Sequence, residues 1–493
     1  MAKYDFVVIG SGGGLMFIEG ALGYNKKCAI VENSKFGGTC LTKGCIPSKM
    51  LVYPADLIRE AEEGEKIGIN FSKPEVDWNK VSKRVWDQIN LNVRVEARLS
   101  KIPNLDVYKG IGEFSGPHTM RVKNSDGEYI AEFEADNFVI AAGAHSFVPP
   151  IEGLKEAGYL TSETFFGDKY PKKPYGSLAV IGAGPIGAEF AHIFASFGTK
   201  VSLIEMNPMI LSTEEEDISE LVKRQFIKDG MDVYTSTKTL KVSTKDNKKI
   251  IHLQNMITST ESIVECDEIF LASGVRSNAP SLKLENAGVE TDPRGYIVTN
   301  EYLETNVSHI WAIGDVNGRY QFRHKANKEA EILIHNLFKD PNNRKVMRYD
   351  AVPWAIFTHP QVGHVGKTER EVKASGCKYK VGINRYSDVT AGRAMGYTSK
   401  SDVNGFVKLI VGEDKSILGA HVVGPNASIL LQPYVYMMNC DKKCDKKPKK
   451  KKVEIEQLRT MCPHLGTYTP MDESMVIHPA MSELTAWVTE DLE

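Results

Sequence analysis

The sequence has little net charge, no long apolar run and few cysteines, and each shortage excludes a class of protein. Its 61 lysines and arginines nearly balance 63 acidic residues, for a formal net charge of −2, so the overall charge does not favour nucleic acid as a partner. No apolar run approaches the ~18 residues that span a membrane. The apolar stretch at the N-terminus is too short for a signal peptide. We therefore expect a cytoplasmic protein.

The cysteine content argues in the same direction. Eight cysteines in 493 residues do not make a disulfide framework. In a reducing compartment, paired cysteines more often serve catalysis or metal binding. With 42% hydrophobic and 25% charged residues, the composition is that of a soluble globular protein, and the length suggests about three domains.

Two of the cysteines stand in one short motif. Residues 37–49 read GGTCLTKGCIPSK, in which four residues separate Cys40 from Cys45. This spacing permits a disulfide across a tight arch. A helical pattern follows Cys45, and a helix N-terminus favours the thiolate. The spacing alone is a weak signal, but a thiol of low pKa in a small ring predicts a redox-active pair.

The N-terminal segment has the pattern of a dinucleotide-binding unit. The apolar run Tyr4–Ile9 is followed by Gly10 and Gly12, a helical stretch, a second apolar run and Glu32. In such units the glycines admit a pyrophosphate, and the acid binds ribose hydroxyls. The third glycine of the pattern is replaced by Leu15, so we expect looser packing between helix and strand there.

A second copy of the pattern is complete. Gly182, Gly184 and Gly187 are in GxGxxG register, and Glu205 ends the next apolar run. A carboxylate at that place accepts hydrogen bonds from a ribose 2′-OH and repels a 2′-phosphate, which favours NAD over NADP. Two dinucleotide sites around a cysteine pair predict a relay that joins a nicotinamide, a bound flavin and the cysteines.

Two weaker motifs occur further along the chain. The apolar run within 305–315 ends in Gly314 and Asp315, and an acid there can bind a polyol hydroxyl of a flavin nucleotide. His478 is followed five residues later by Glu483, and a carboxylate can hold such a histidine as a base. From about Tyr349, short strands alternate with turns and predict a separate antiparallel domain.

A lysine-rich run, CDKKCDKKPKKKK, occupies residues 440–452. Its like charges predict a solvated loop. Two alternatives stay open, namely docking of an acidic partner or anionic substrate, and a metal site whose spacing matches no usual zinc pattern. The ligands of that metal site would be Cys440, Cys444, Cys462 and His464.

In this order, the motifs GGTC…GCIPSK, GAGPIGAE, AIGD and HPAMSE closely resemble the flavin-dependent pyridine nucleotide–disulfide oxidoreductases, the family that includes dihydrolipoyl dehydrogenase and mycothione reductase. The resemblance is lost only at about 440–470. It implies an α/β fold with two Rossmann-like dinucleotide-binding domains, for FAD and NAD, plus a C-terminal α+β dimerisation domain, in a homodimer. The domains would be 1–150 with 272–345 for FAD, 151–271 for NAD, and 346–493 for dimerisation, with a Lys-rich insertion at 440–470.

The resemblance also implies roles for individual residues. Cys45 would be the charge-transfer thiolate that faces the flavin, and Cys40 the interchange thiol. His478 of the other subunit would be the base, oriented by Glu483. Lys49 would lie near flavin N5 and pair with Glu189. The FAD-binding residues would be Gly10, Gly12, Glu32, Gly38, Thr39, Lys49, Gly143 and Asp315, and the NAD-binding residues would be Gly182, Gly184, Gly187, Glu205 and Gly274. No metal ligand is assigned.

The expected function is NAD-linked exchange between a dithiol and a disulfide, first of all dihydrolipoyl dehydrogenase activity (dihydrolipoamide and NAD⁺ to lipoamide and NADH). The alternative enzyme is an NAD(P)H-dependent reductase of a low-molecular-weight disulfide, because Leu15, the AAG at 141–143 and the HKANKEA at 324–330 resemble mycothione reductase. A flavin-bearing redox-sensing or docking protein is the alternative of another class. Expected partners are a small dithiol or disulfide, or a lipoyl-bearing protein domain, with neither nucleic acid nor membrane.

Overall fold

The computed structural model describes residues 1–72, 74–439 and 474–480. These residues form two compact units. The first consists of Met1–Glu62, Asn70–Leu211 and Phe226–Arg348, and the second consists of Glu63–Ile69, Ser212–Gln225 and the described residues from Tyr349 onwards. None of the helices in these ranges has the length and apolarity that a membrane crossing requires.

Strands and helices alternate through most of the chain. The strands are β1 (Ala2–Ile9), β2 (Cys28–Glu32), β3 (Leu105–Lys109), β4 (Ile111–Gly116), β5 (Thr119–Lys123), β6 (Tyr129–Ile140), β7 (Ala144–Ser146), β8 (Ser177–Ile181), β9 (Lys200–Ile204), β10 (Asp232–Tyr234), β11 (Thr237–Lys245), β12 (Lys248–Asn255), β13 (Glu261–Cys266), β14 (Glu268–Leu271), β15 (Val275–Ser277), β16 (Ile310–Ala312), β17 (Pro353–Ile356), β18 (Val362–Gly366), β19 (Tyr379–Arg385), β20 (Phe406–Gly412) and β21 (Ile417–Val423). The α-helices are α1 (Gly14–Gly23), α2 (Gly38–Thr42), α3 (Cys45–Glu63), α4 (Trp78–Ile89), α5 (Leu91–Leu99), α6 (Leu154–Ala157), α7 (Ser162–Phe165), α8 (Pro185–Ser196), α9 (Glu216–Lys228), α10 (Arg323–Ile334), α11 (Glu369–Ala374), α12 (Thr390–Ala394) and α13 (Ala427–Asn439).

The first unit contains two sheets of the Rossmann kind, one with a parallel part extended by the antiparallel strands β5 and β4, and one that is parallel throughout. In one, the strand order is β3-β2-β1-β6-β5-β4, with β16 also on β6, and β1, β2, β3, β6 and β16 run parallel. In the other, the order is β10-β9-β8-β14, all parallel. Buried apolar runs such as Val7–Ile9 suit strands that are covered on both faces. The predicted α/β class with two dinucleotide folds is confirmed.

The glycine loops of both sheets follow the carboxyl end of the first strand, as in nucleotide-binding α/β folds. α1 begins after β1, and α8 begins after β8. The antiparallel pieces β11, β12 and β13 form a separate sheet in the same unit. The proposed boundaries of the FAD and NAD domains stay predictions.

The second unit contains an antiparallel sheet with the order β17-β18-β21-β20-β19. The sequence predicted five strands at nearly these places. The helix α13 packs its buried Ala427, Leu431 and Val435 at helical spacing. Thr368 and Glu371 form a capping box at the start of α11, which stabilises its first turn.

The structure divides two stretches whose sequence patterns predict continuous elements. The helical pattern over 77–99 forms two helices, because Asn90 separates α4 from α5. The strand pattern over 108–114 is interrupted by Gly110, which lies between β3 and β4 with φ +155°. A backbone with that angle favours glycine and interrupts a regular strand.

Candidate active site

The two cysteines of the motif lie at the start of adjacent helices. Cys40 is in the short helix α2, and Cys45 is the first residue of α3. No disulfide joins the two cysteines in this structure. At the first position of α3, Cys45 lies where the backbone N–H groups and the helix dipole stabilise negative charge, as the sequence predicted.

The surroundings of the pair make its two thiols unequal. The pKa of the Cys40 thiol is raised, first by its hydrogen bond with Cys45, then by burial and by the charge on Cys45, whereas Arg323 and Lys49 lower it. Cys40 is the member that keeps its proton when the pair holds one charge. A neutral thiol at Cys40 needs a base before it can attack a disulfide.

Lys49 lies one helical turn after Cys45, on the same face of α3. Its Nζ is 2.7 Å from the carboxylate of Glu189 on α8. The two side chains are 16% and 12% exposed. The pairing that the resemblance implied is thus present as a contact between the two dinucleotide-binding halves.

Further contacts continue along the same two helices. His192 of α8 is fully buried, and its Nε2 is 2.8 Å from Asp56 of α3. One turn on, Arg59 Nε donates to Ser196 Oγ at 3.0 Å. The helix with Cys45 is therefore joined to α8 by polar contacts spaced along its length.

The first glycine loop is held by its acidic residue. Glu32 accepts hydrogen bonds from Ser11 N at 2.8 Å, Ser11 Oγ at 2.6 Å and Ser34 N at 2.8 Å. Gly10 has φ +99°, and a Cβ there would be 2.3 Å from Ala141 O. Only glycine fits so close to the neighbouring strand end.

A close approach in the first loop occurs at Gly14, one residue before Leu15. A Cβ at Gly14 would be 2.6 Å from Val8 Cγ1 and 3.2 Å from Ala141 Cβ. Glycine at position 14 therefore lets the start of α1 pack closely on β1, and the looser packing expected at Leu15 stays a prediction.

One pocket joins this loop to the cysteine pair. It is lined by both cysteines and by most of the residues predicted to bind FAD, namely Gly10, Gly12, Glu32, Gly38, Thr39, Gly143 and Asp315. A Cβ at Gly12 or Gly143 would meet nothing within 4 Å, so at these two positions glycine leaves space open towards the pocket. A backbone loop that opens to a pocket beside a dithiol fits a dinucleotide such as FAD. Lys49 is one turn away from this lining.

Asp315 also lines this pocket, in the helical turn Gly314–Asn317 that follows β16. Burial raises the pKa of this carboxyl to about 6. The positive charge of Lys325 lowers the pKa, and the negative charge of Glu329 raises it further. Both neighbours are on α10 and are fully buried as an ion pair at 3.1 Å. Glu329 accepts from Gly314 N at 2.6 Å, and Lys325 donates to Gly314 O at 2.9 Å.

These α10 residues and Arg323 were not assigned to the site from the sequence. Arg323 lines the pocket and lowers the pKa of Cys40. The available signal was a lysine and a glutamate at i, i+4, of which the lysine comes ten residues after the end of the AIGD motif. We infer that Lys325 and Glu329 fix the turn that aims Asp315 into the pocket.

The second glycine loop repeats the construction of the first. Gly182 has φ +100°, and a Cβ there would be 2.4 Å from Ala272 O. A Cβ at Gly187 would be 1.9 Å from Gly182 O, whereas one at Gly184 would meet nothing within 4 Å. Gly274 follows β14 with φ +100° and is equally open. Gly184 and Gly274 leave room for a ligand, whereas Gly182 and Gly187 allow close backbone packing at the turn between strand and helix.

Glu205 ends β9 beside this loop. Its carboxylate accepts hydrogen bonds from Ala183 N and from Asn207 N, both at 2.8 Å. Glu32 makes the same two kinds of contact in the first loop, to Ser11 N and Ser34 N. Each acid therefore both shapes its loop and presents negative charge where a ribose would lie.

The remaining predicted site residues are in the second unit. His478 is partly buried in the short segment 474–480. Gln432 of α13 holds this segment by donating to Met475 O at 3.2 Å and accepting from Ile477 N at 3.4 Å. Glu483, the lysine-rich run and the metal ligands considered at Cys440, Cys444, Cys462 and His464 lie outside the described residues.

Two dinucleotide loops and a dithiol in one compact unit define a redox protein that works with nucleotide cofactors. Residues 4–330 match the family described as pyridine nucleotide-disulphide oxidoreductase, and residues 352–451 match the dimerisation domain of that family. The chain belongs to the pyridine nucleotide–disulphide oxidoreductases. Members are FAD-dependent and use NAD(P)H, so the expected pair of cofactors is confirmed at the level of the family.

Relatives with different activities are similar to this chain. Mycothione reductase of Mycobacterium tuberculosis is 33% identical over 450 residues, which are 89% of this chain and 93% of the relative. Dihydrolipoyl dehydrogenase of Zymomonas mobilis is 29% identical over 482 residues, 96% and 97% of the two chains. The Cu(II) complex of the HOCl-induced flavoprotein disulfide reductase RclA from Escherichia coli matches over 100% of both chains, with 26% identity and a TM-score of 0.76.

Proposed function

We propose that this chain is an NAD-linked, FAD-dependent dithiol/disulfide oxidoreductase. The first candidate for its reaction is that of dihydrolipoyl dehydrogenase. The observation that carries the proposal is the shared pocket, in which Cys40 and Cys45 lie beside the first glycine loop. A dithiol in this position can exchange with a substrate disulfide on one side and face a flavin on the other. Bound FAD would supply the electron relay between the dithiol and the nicotinamide.

The two cysteines have different tasks in this proposal. The protonated Cys40 exchanges with the substrate sulfur, which matches its raised pKa. Cys45, at the N-terminus of α3, carries the thiolate. In the dihydrolipoamide direction, one substrate thiol loses its proton to His478, and the resulting thiolate attacks Cys40 and opens the Cys40–Cys45 disulfide. The second substrate thiol then displaces Cys40, so that the substrate leaves as a disulfide and the pair stays reduced.

His478 would come from a second copy of the chain. The match to a dimerisation domain over 352–451 supports a homodimer, and we propose that Glu483 of the same segment orients the imidazole. The cytoplasmic location and the lipoyl-bearing partner stay predictions.

The nicotinamide is proposed to be NAD rather than NADP. The Glu205 carboxylate is fixed by Ala183 N and Asn207 N, so it keeps its place when a ribose arrives. A 2′-phosphate would meet this negative charge. Residues 206–211, MNPMIL, contain no basic side chain that would offset it.

Reduction of a low-molecular-weight disulfide is the second candidate. The relative named mycothione reductase has 33% identity with this chain, against 29% for the Zymomonas mobilis dihydrolipoyl dehydrogenase. Arg323 in the pocket lining would favour an anionic or polar disulfide over lipoamide. In that case the same residues run the exchange in reverse, with NADH as the reductant.

A paired anaerobic assay on FAD-loaded protein separates the candidates. We expect rapid NAD⁺ reduction by dihydrolipoamide and a higher kcat/KM for NADH than for NADPH. The Cys40→Ser variant should lose turnover, whereas Cys266→Ser, a buried cysteine of β13, should keep it. Turnover of a small disulfide without any dihydrolipoamide activity would replace the first candidate by the second. A wild type that prefers NADPH would contradict the role of Glu205.

A further inference from the structure

A row of polar side chains crosses the sheet of the second unit. Trp354 of β17 pairs in register with His364 of β18, His364 with His421 of β21, and His421 with Lys408 of β20. Residues paired in this way project from the same face of a sheet. All except Trp354 are buried, which is unusual for three ionisable side chains.

Carboxylates from the segment before α9 and from its first turn meet this row. Glu214 is 1% exposed. Its Oε2 is 2.9 Å from His364 Nδ1, and its Oε1 accepts from Trp354 Nε1 at 2.7 Å. One ligand atom each from Glu214, His364 and His421 lies within 4.8 Å of the other two.

The second nitrogen of each histidine is held by the backbone. His364 Nε2 is 3.0 Å from Gly366 O, and His421 Nε2 is 3.0 Å from Lys367 O. Carbonyl oxygens only accept, so both Nε2 atoms carry hydrogen. The Nδ1 atoms are therefore the ones that each ring can offer. Metal-binding histidines are commonly oriented in this way, with the far nitrogen donating to a carbonyl.

The two Nδ1 atoms differ in their partners. His364 Nδ1 is 2.9 Å from Glu214 Oε2. His421 Nδ1 is buried without a hydrogen-bond partner. Because the hydrogen of the His421 ring is held at Nε2, its Nδ1 offers a lone pair, and a buried lone pair without a partner is costly unless something fills it.

Charge around the cluster favours a cation. Lys408 is the nearby positive group, and its Nζ pairs with Glu215 at 2.7 Å, Glu369 at 2.8 Å and Asp217 at 3.4 Å. Three carboxylates already compensate this lysine, so the Glu214 carboxylate is left for a cation held beside the two histidines.

We propose that Glu214, His364 and His421 form a buried binding site for a borderline transition-metal ion such as Zn²⁺ or Cu²⁺. Two imidazoles and one carboxylate are the donors that such ions accept. Tetrahedral coordination at ~2.0–2.1 Å places ligand atoms about 3.3 Å apart, close to the present 2.9 Å between His364 and Glu214. The site would be structural, because its three ligands are buried inside the second unit.

The test measures zinc in full-length, FAD-loaded protein produced in zinc-supplemented medium. The Cys40→Ser/Cys45→Ser double variant serves as the background, since the dithiol is a competing metal ligand. We expect the Glu214→Gln and His421→Asn variants to hold one zinc equivalent fewer than this background. Both changes keep a hydrogen-bonding side chain in place. His309→Gln is the matched control, because His309 also stacks on a histidine (His118) and contacts a carbonyl, and it should not change the zinc content.

Quenching of Trp354 fluorescence provides a second test, which does not depend on the folding of the Glu214→Gln and His421→Asn variants. Trp354 stacks on His364 with ring centres 3.6 Å apart, so Cu²⁺ at the site should quench its emission. The difference in Cu²⁺ quenching between the background and its Trp354→Phe variant reports this ring. Equal zinc content in the background, Glu214→Gln and His421→Asn would overturn the proposal. So would identical quenching with and without Trp354, and the cluster would then be only a hydrogen-bonded ion pair.

Discussion

Substituting Asp315 by asparagine should make the FAD-free protein more stable to unfolding at neutral pH and should weaken the binding of FAD. Burial raises the pKa of the Asp315 carboxyl from 3.8 to about 6, so at neutral pH the folded chain carries a charge that its surroundings disfavour. Asparagine removes this charge but keeps the shape. If the carboxylate binds the flavin nucleotide, the same change removes that contact.

The size of the first effect follows from the shift. About two pKa units correspond to about 3 kcal/mol, and water in the open pocket reduces this to on the order of 1–3 kcal/mol. Since the native state binds the proton more tightly than the unfolded chain, the wild type loses stability as pH rises from 3.8 through about 6. Above that pH range the wild type keeps the full loss of stability. Below it, the stabilities of the variant and the wild type should converge.

The assay compares unfolding midpoints of FAD-stripped wild type and Asp315→Asn at pH 5 and pH 8, and then FAD dissociation constants. We expect the stripped variant to be more stable at pH 8. We also expect FAD affinity to fall about 10- to 100-fold, as for a lost hydrogen bond to a charged group. Asp292→Asn is the control with the opposite sign. Burial there is outweighed by hydrogen bonds from Tyr296 and Arg294, which lower the pKa of Asp292.

The reasoning would be refuted by a stripped Asp315→Asn protein that is less stable than wild type at pH 8. It would also fail if the variant bound FAD with unchanged affinity, since Asp315 would then have no part in the nucleotide site. A gain in stability for Asp292→Asn would contradict the directions assigned to the pKa shifts of the two carboxyls.

Three further outcomes are expected. Cys45→Ser should retain FAD but lose turnover and the long-wavelength charge-transfer band, and absorption spectra that keep the band would exclude Cys45 as the flavin-facing thiol. Lys49→Met breaks a mostly buried ion pair with side chains 16% and 12% exposed and should lower the free energy of unfolding by on the order of 2–4 kcal/mol. Lys83→Met, in a pair with side chains 75% and 56% exposed, should lower it by less than about 0.5 kcal/mol, and equal denaturation curves for the two variants would contradict this. Gly184→Ala should unfold like wild type, because its Cβ meets nothing within 4 Å, yet bind NADH more weakly. Gly187→Ala should destabilise the fold, because its Cβ would be 1.9 Å from Gly182 O, and calorimetry with NADH titration distinguishes the two glycines.

The parts of the fold that depend on local pattern were predictable from the sequence. Both glycine loops, their flanking strands and the five strands of the second unit follow from apolar runs and turn residues. The position of Cys45 at a helix start also followed from local pattern. These features depend on neighbours within a few residues, which periodicity and glycine placement report directly.

Contacts between distant segments were harder to predict. The pairing of Lys49 with Glu189, 140 positions apart, came only from the resemblance to a known family. The buried Lys325–Glu329 pair and the His364–His421 row were missed. A charged side chain on an amphipathic helix is normally exposed, and strand alternation does not give the register between strands. The close approach at Gly14 was missed because the fixed GxGxxG spacing directs attention to position 15 alone.

The contacts between α3 and α8 have a mechanical consequence. Lys49, Asp56 and Arg59 reach Glu189, His192 and Ser196 at 2.7, 2.8 and 3.0 Å. These three contacts join the two helices along about 15 Å of α3. One of these helices begins at Cys45 and the other directly after the second glycine loop, so these contacts fix the distance between the two helix starts. A substitution at Asp56 or Arg59, neither of which lines the cysteine pocket, can therefore change that distance and slow the proposed reaction.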